Sequence, residues 1–204
     1  MKFKDYFIVI GIFLLVLIFS LIFVFRSEFY SGDRAYFNFR YVNYVNENWR
    51  ILSYDTLSYG GRDVIQPPLF FFILALFKVI FGNIIFKILP LIFISSVVFF
   101  TYLLSKELTK NKLAILLSTL MSGFIPAVYV GTINSISIYT LFLPILLLTL
   151  YSFIKIYKND IYVYIFVGLS FILSLIHQDT FLIVGTFLFY FLLTTSESFN
   201  VTRI

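Results

Sequence analysis

A small set of side chains between residues 31 and 68 has the types needed for chemistry on a phosphorylated, membrane-bound substrate: Asp33, Arg34, Arg40, Asp55, Arg62 and Asp63. A carboxylate at the edge of an apolar span suits a general base or a metal ligand. Arginine suits a phosphate, because its planar fork donates two parallel hydrogen bonds. Each residue also has a plainer role open to it. Asp33 suits the N-cap of a helix beginning at Arg34, aspartate being a preferred cap. Asp55 and Asp63 flank Tyr59-Gly60-Gly61-Arg62 and suit turn ends. The arginines suit salt bridges with the loop's own carboxylates or contacts with lipid headgroups. Asn134, Ser135, His177 and Asp179 sit at helix ends further along, where interfacial hydrogen bonding is the ordinary role.

The elements that must hold these residues are set by composition. The chain is 61% hydrophobic and 12% charged, about half the charge of an ordinary soluble domain. Apolar runs recur that are long enough to cross a hydrocarbon layer of ~30 Å. The fold class expected is all-α, a polytopic transmembrane helical bundle forming one domain over residues 1–204. Stretch 31–68 is the exception: with its flanks it holds five of the ten acidic residues, counting from Glu28 to Asp63, and the single tryptophan, Trp49. The net charge of +5 therefore concerns orientation in the bilayer rather than nucleic acid, because positive residues collect on the cytoplasmic side. With no cysteine and one histidine, disulfides, thiolate catalysis, cysteine-ligated zinc and multi-histidine metal sites are excluded.

Lys2 and Lys4 precede an apolar run over 7–25, too long for a signal-peptide core; it reads as an uncleaved first span with its N-terminus inside. Residues 26–83 then form an extracytoplasmic first loop. Within it, 34–49 suits a surface helix with Phe37, Tyr41, Tyr44 and Val45 on one face and Asn38, Asn43, Asn46 and Arg50 mostly elsewhere. Leu69–Phe81 is apolar but reaches only about 20 Å as a helix. Were it to cross, Lys106, Lys110 and Lys112 would lie outside; the positive-inside pattern favours a juxtamembrane or re-entrant helix. Spans follow over 84–104, 113–130, 136–156, 161–176 and 180–193, about six in all, with a polar tail inside. That tail leaves the sequon Asn200-Val201-Thr202 without weight. No Asp, Glu, Arg or His interrupts the spans, which disfavours a carrier or proton relay.

The residues Gly32-Asp33-Arg34-Ala35-Tyr36-Phe37, Arg40-Tyr41, Asp55-Thr56-Leu57-Ser58, Gly60-Gly61 and Pro67-Pro68-Leu69-Phe70 together resemble the first outer loop of GT-C glycosyltransferases. The closest similarity is to oligosaccharyltransferase catalytic subunits and their protein-mannosyltransferase-like relatives. Tyr102 to Leu108 and Pro126 fit the same arrangement. The resemblance implies a membrane enzyme that takes a sugar from a polyprenyl-phosphate-type donor at the outer face of the cell membrane. Asp33 is then the catalytic residue, as base or metal ligand, with Arg34, Tyr36, Arg40, Asp55 and Arg62 on the substrate side. It also implies that a divalent cation, Mg or Mn, is the cofactor to consider, with the bilayer and a lipid-linked sugar as partners.

Two departures qualify that expectation. The second outer loop, Gly131-Thr132-Ile133-Asn134-Ser135, carries no carboxylate where oligosaccharyltransferases have an acidic pair. The chain also has about six spans where such enzymes usually have more, so a truncated or split member, or a non-catalytic partner subunit, stands beside the enzyme as the alternative. Oligomeric state has no signature in the sequence.

Overall fold

The computed structural model describes residues 3–58 and 60–201. Lys2, Tyr59 and Thr202, which enter the readings of the first span, the glycine turn and the sequon, lie outside the described residues. Helix α1 (Phe3–Val24) is apolar all round. Its inward stripe is Val9, Val16, Ser20 and Val24, and Leu14, Ile18 and Ile22 face outward, as a helix surrounded by lipid on most sides requires. After the first loop come helix α2 (Asp33–Asn48), a two-stranded hairpin of β1 (Tyr54–Asp55) and β2 (Arg62–Asp63), and helix α3 (Leu69–Phe81).

A continuous apolar stretch, Leu69–Leu108, then runs for 40 residues, about 60 Å if straight and twice a bilayer's core. It is not straight. Gly82, at φ 66° and ψ −160°, leaves helical geometry, and a 3-10 turn (Gly82–Ile84) re-aims the chain into α4 (Ile85–Ser95) and α5 (Val97–Leu108). Helix α3 is held near both ends. The Leu69 N–H donates to the Leu175 carbonyl at 3.0 Å, and Lys78 Nζ donates to Asn43 Oδ1 on α2 at 2.7 Å. Just beyond, Lys87 Nζ reaches the Ser27 carbonyl at 2.6 Å, so α4 begins where α1 has finished.

The remaining helices are α6 (Lys112–Gly123), α7 (Pro126–Thr132), α8 (Tyr139–Ile156), α9 (Ile161–Ser174) and α10 (Thr180–Val201). All six apolar segments anticipated as spans are largely helical. Among the described residues three stretches are long and apolar enough to cross a membrane: Tyr6–Val24, Leu69–Leu108 and Tyr139–Ile156. Segment 113–130 is not one helix, because Ile125, extended at ψ 116°, precedes Pro126 at the first position of α7; the proline ring disfavours a helical residue before it. The anticipated polar tail is also helical at least to Val201.

Two cores result. The larger joins α2, α3, α4, α8 and α9 through Tyr41, Phe70, Phe71, Phe86, Ile136, Phe142 and Leu173. The smaller joins α1, α5 and α6 through Val9, Val16, Val98, Tyr102 and Ile115. The first lies directly under the polar loop and sets its position.

Candidate active site

Helix α2 is anchored by an apolar stripe, Ala35, Phe37, Tyr41, Val42 and Val45, all buried. Three of the four residues expected on that face are in it; Tyr44 stays 37% exposed. The stripe is covered by α3, with Tyr41 stacked on Phe71 at 3.9 Å, so the face is filled by protein. Asn38 departs from its expected place with the polar residues: it is 1% exposed. Its amide donates to the Ile136 carbonyl at 2.6 Å, which offsets the cost of burying it.

The cap expected at Asp33 is not formed. Gly32, at φ 80°, takes the N-cap position, and Asp33 is the first helical residue with no side-chain capping bond. A residue there has its charge beside the positive end of the helix dipole while its carboxylate remains uncommitted. The Asp33 side chain makes no hydrogen bond or ion pair among the described residues.

The hairpin brings its arginine back to α2. Pairing sets Tyr54 opposite Asp63 and Asp55 opposite Arg62. The turn requires glycine at position 61, where φ is 74° and any Cβ would run into the Tyr54 hydroxyl. Asp55, 5% exposed, ties the turn to the helix. It accepts from the Leu57 N–H at 3.1 Å, from the Ser58 hydroxyl and from Arg40 at 2.8 Å. The Ser58 hydroxyl foremost, then the Leu57 N–H and the Arg40 and Arg62 charges, hold its carboxyl below the ordinary aspartate value, against burial, which raises it.

These elements enclose a cleft of about 410 Å³ lined by Asp33, Arg34, Phe37, Arg40, Ser58, Arg62 and Gln66. Four of the six residues assigned from sequence therefore share one site. Asp55 stands behind it, holding Arg40. Tyr36 is directed elsewhere, edge-on to Tyr30 at 5.9 Å. The Arg40 and Arg62 guanidinium carbons lie 6.0 and 5.1 Å from the centre of the Phe37 ring, a separation at which the ring face attracts a cation. Of the salt bridges open to the three arginines, only Arg40–Asp55 forms among the described residues. Ser58, Phe37 and Gln66 were not among the site residues assigned from sequence, although Phe37 and Ser58 stand in the motifs quoted above.

The other two joints on this end of the bundle hold the loop in place. The Ser31 N–H donates to the Asn134 carbonyl at 2.8 Å, and the Asn134 amide donates back to the Phe29 carbonyl. The second loop thus contributes straps, where a metal-binding pair would have needed carboxylates. His177 lies against the rings of Tyr139 and Phe142, each 5.1 Å away. Its Nδ1 accepts the Asp179 N–H at 3.2 Å.

A divalent cation does not fit the donor set. Asp33 is the one carboxylate lining the cleft, three guanidinium groups surround it, and no group of three His, Cys, Asp or Glu side chains is assembled among the described residues. The set suits an anion held beside a single carboxylate.

An all-α bundle of apolar helices, with a polar first loop that sets one carboxylate among arginines, has the character of a GT-C membrane glycosyltransferase. Residues 65–203 match the family model of the dolichyl-phosphate-mannose-protein mannosyltransferases, more than half of the 204 residues, and the chain belongs to that family. The match begins after the hairpin, so Asp33, Arg34, Arg40, Asp55 and Arg62 precede it. No curated protein matches the chain.

Proposed function

We propose that the protein transfers a glycosyl group, mannosyl by the family's name, from a dolichyl- or other polyprenyl-phosphate donor to an acceptor hydroxyl at the outer face of the cell membrane. The observation that carries this reading is the uncommitted Asp33 carboxylate in one cleft with Arg34, Arg40 and Arg62. In the reaction, the acceptor oxygen forms a bond to the sugar's anomeric carbon as that carbon's bond to the phosphate oxygen breaks. Asp33 takes the acceptor's proton, and the lipid phosphate departs carrying the bonding electron pair. Arg34 and Arg62 neutralise its developing charge, an effect that grows toward the transition state. Asp55 acts indirectly, by fixing Arg40 and the Ser58 turn.

The outward placement of this end rests on the short joints alone, since the first loop itself carries Arg26, Arg34, Arg40, Arg50, Arg62 and Lys78. Lys106, Lys110, Lys112, Lys155 and Lys158 all belong to the joints at the other end, where the positive-inside pattern expects them.

The test is transfer from a radiolabelled polyprenyl-phosphate sugar by the full chain reconstituted in liposomes. Asp33→Asn keeps size and polarity but cannot take a proton, and should lower transfer by about a hundredfold or more with donor binding retained. Transfer at the wild-type rate by this variant would remove Asp33 from the reaction. The single carboxylate in the cleft also suits a partner subunit that binds the lipid-linked sugar without acting on it. In that case the wild-type chain binds donor and transfers nothing.

A further inference from the structure

We infer that a second cavity, on the far side of Arg34 from the Asp55 turn, is a subsite for a sugar ring; the inference deepens the glycosyl-transfer reading and rests on it. The cavity is about 170 Å³ and is lined by Arg34, Asn38, Gln66, Tyr139, His177 and Asp179 among others. That is far more than the ~10–15 Å³ that admits one water. It is formed between α2, the Gln66-Pro67 segment before α3, the start of α8 and the joint before α10.

Two of its lining residues carry acceptor atoms that lack donors. Asn38 is 1% exposed and its orientation is determined, because the Ile136 carbonyl can only accept and so must face the amide nitrogen. The other end of the side chain, Oδ1, is buried with no hydrogen-bond partner among the described residues, and the same holds for Gln66 Oε1. Buried polar atoms in folded proteins are nearly always paired, and an exception calls for a missing partner. Two carbonyl-type oxygens can only accept, so the partner must bring donors. A phosphate offers no donors when ionised, and a metal cation would face the Arg34 charge. A neutral polyol meets every condition. Its hydroxyls donate to Asn38 and Gln66 and accept from Arg34, while the Tyr139 ring and Ile138 provide an apolar wall for its carbon skeleton.

Arg34 and Gln66 line both this cavity and the three-arginine cleft. A glycosyl phosphate would therefore lie across Arg34, with its phosphate among the guanidinium groups and its sugar toward His177. A sugar acceptor entering from the other side would occupy the same ring-sized space, and the two sources can be told apart by probe.

The experiment measures equilibrium binding to the full chain in nanodiscs of three probes: sugar-free polyprenyl phosphate, polyprenyl-phosphate mannose and methyl α-mannoside. Gln66→Met removes one acceptor oxygen at nearly constant volume, and Tyr139→Leu removes the ring from another part of the wall. Each is expected to weaken a sugar-bearing probe about tenfold, the scale of one lost hydrogen bond with its desolvation. Tyr139→Leu, whose residue is absent from the arginine cleft, leaves the sugar-free phosphate unchanged, and Gln66→Met, whose residue lines both, weakens the sugar-bearing probe more than the phosphate. Loss confined to the lipid-linked sugar assigns the subsite to the donor; loss confined to the free glycoside assigns it to an acceptor. Equal affinity of both variants and wild type for both sugars, or equal loss for all three probes, overturns the proposal. Sugar binding should survive Asp33→Asn, so the subsite can fail while transfer stands, or stand while the catalytic assignment fails.

Discussion

Both carboxylate oxygens of Asp55 are in use, one on the Leu57 N–H and the other on the Ser58 hydroxyl and the Arg40 guanidinium. Asp33, 22 positions earlier, has neither oxygen engaged among the described residues. The two aspartates look alike in sequence, and their surroundings divide the roles. Asp55→Asn should therefore lower transfer by about 10- to 100-fold through misplacement of Arg40, less than the loss in Asp33→Asn, with both assayed in the same liposomes. The two also differ in pH response. The Asp55 carboxyl is held below its ordinary value, so the stability it contributes is fully present above the unfolded aspartate value. That stability is lost as pH falls through the lowered folded value. Unfolding midpoints of the wild type should thus fall as pH drops through and below the ordinary aspartate range, while Asp55→Asn should lose part of that dependence. Equal slopes in the two proteins would mean that Asp55 is not held as described.

Element by element, apolar spacing was a good guide where a helix had one face to bury. Phe37, Tyr41 and Val45, at intervals of four, predicted α2, and all three are buried. The same spacing could not say what covers the face, because Tyr and Phe satisfy a lipid interface and a protein core equally well. Only the return of α3, with Phe71 under Tyr41, decides that. Helix α6 shows a limit of a different kind. Gly123 is where it meets α1 and α5: a Cβ there would run into the Val16 side chain and lie 3.1 Å from Val98 Cγ2. Nothing in an apolar run marks that glycine as a contact point. Gly123→Leu should force the helices apart and cost about 1–3 kcal/mol, as overpacking of a tight core does. The check is the unfolding midpoint in detergent beside that of Gly131→Leu, where a Cβ meets nothing within 4 Å.

At the scale of the molecule, the joints sort into two groups. Residues near 29–38, 69, 134–136 and 175 hydrogen-bond to one another. At the far end Glu107, in the last turn of α5, pairs with Lys155 at 2.7 Å and with Lys158. Helix α8 runs from Tyr139, beside the first group, to Ile156, beside the second, a separation of about 27 Å. Single cysteines at Leu57, 74% exposed, and at Lys110 should consequently react with a membrane-impermeant thiol reagent from opposite sides of sealed vesicles. Labelling of both from one side would refute the arrangement.

Composition alone determined that the chain is an all-α membrane protein, since 61% hydrophobic residues in long runs have no other way to satisfy their backbone in lipid. Local pattern determined α2, the glycine turn and a loop rich in Asp and Arg. Tertiary structure decided which of those residues meet. It bent the 40-residue apolar stretch at Gly82, so that α3 could cover α2. It also brought Gln66, Tyr139 and His177 to the side of Arg34, although Arg34 and His177 lie more than 140 positions apart. The reason is physical: spacing along a chain reports the face of one element, while a site assembled from three joints depends on how whole elements pack.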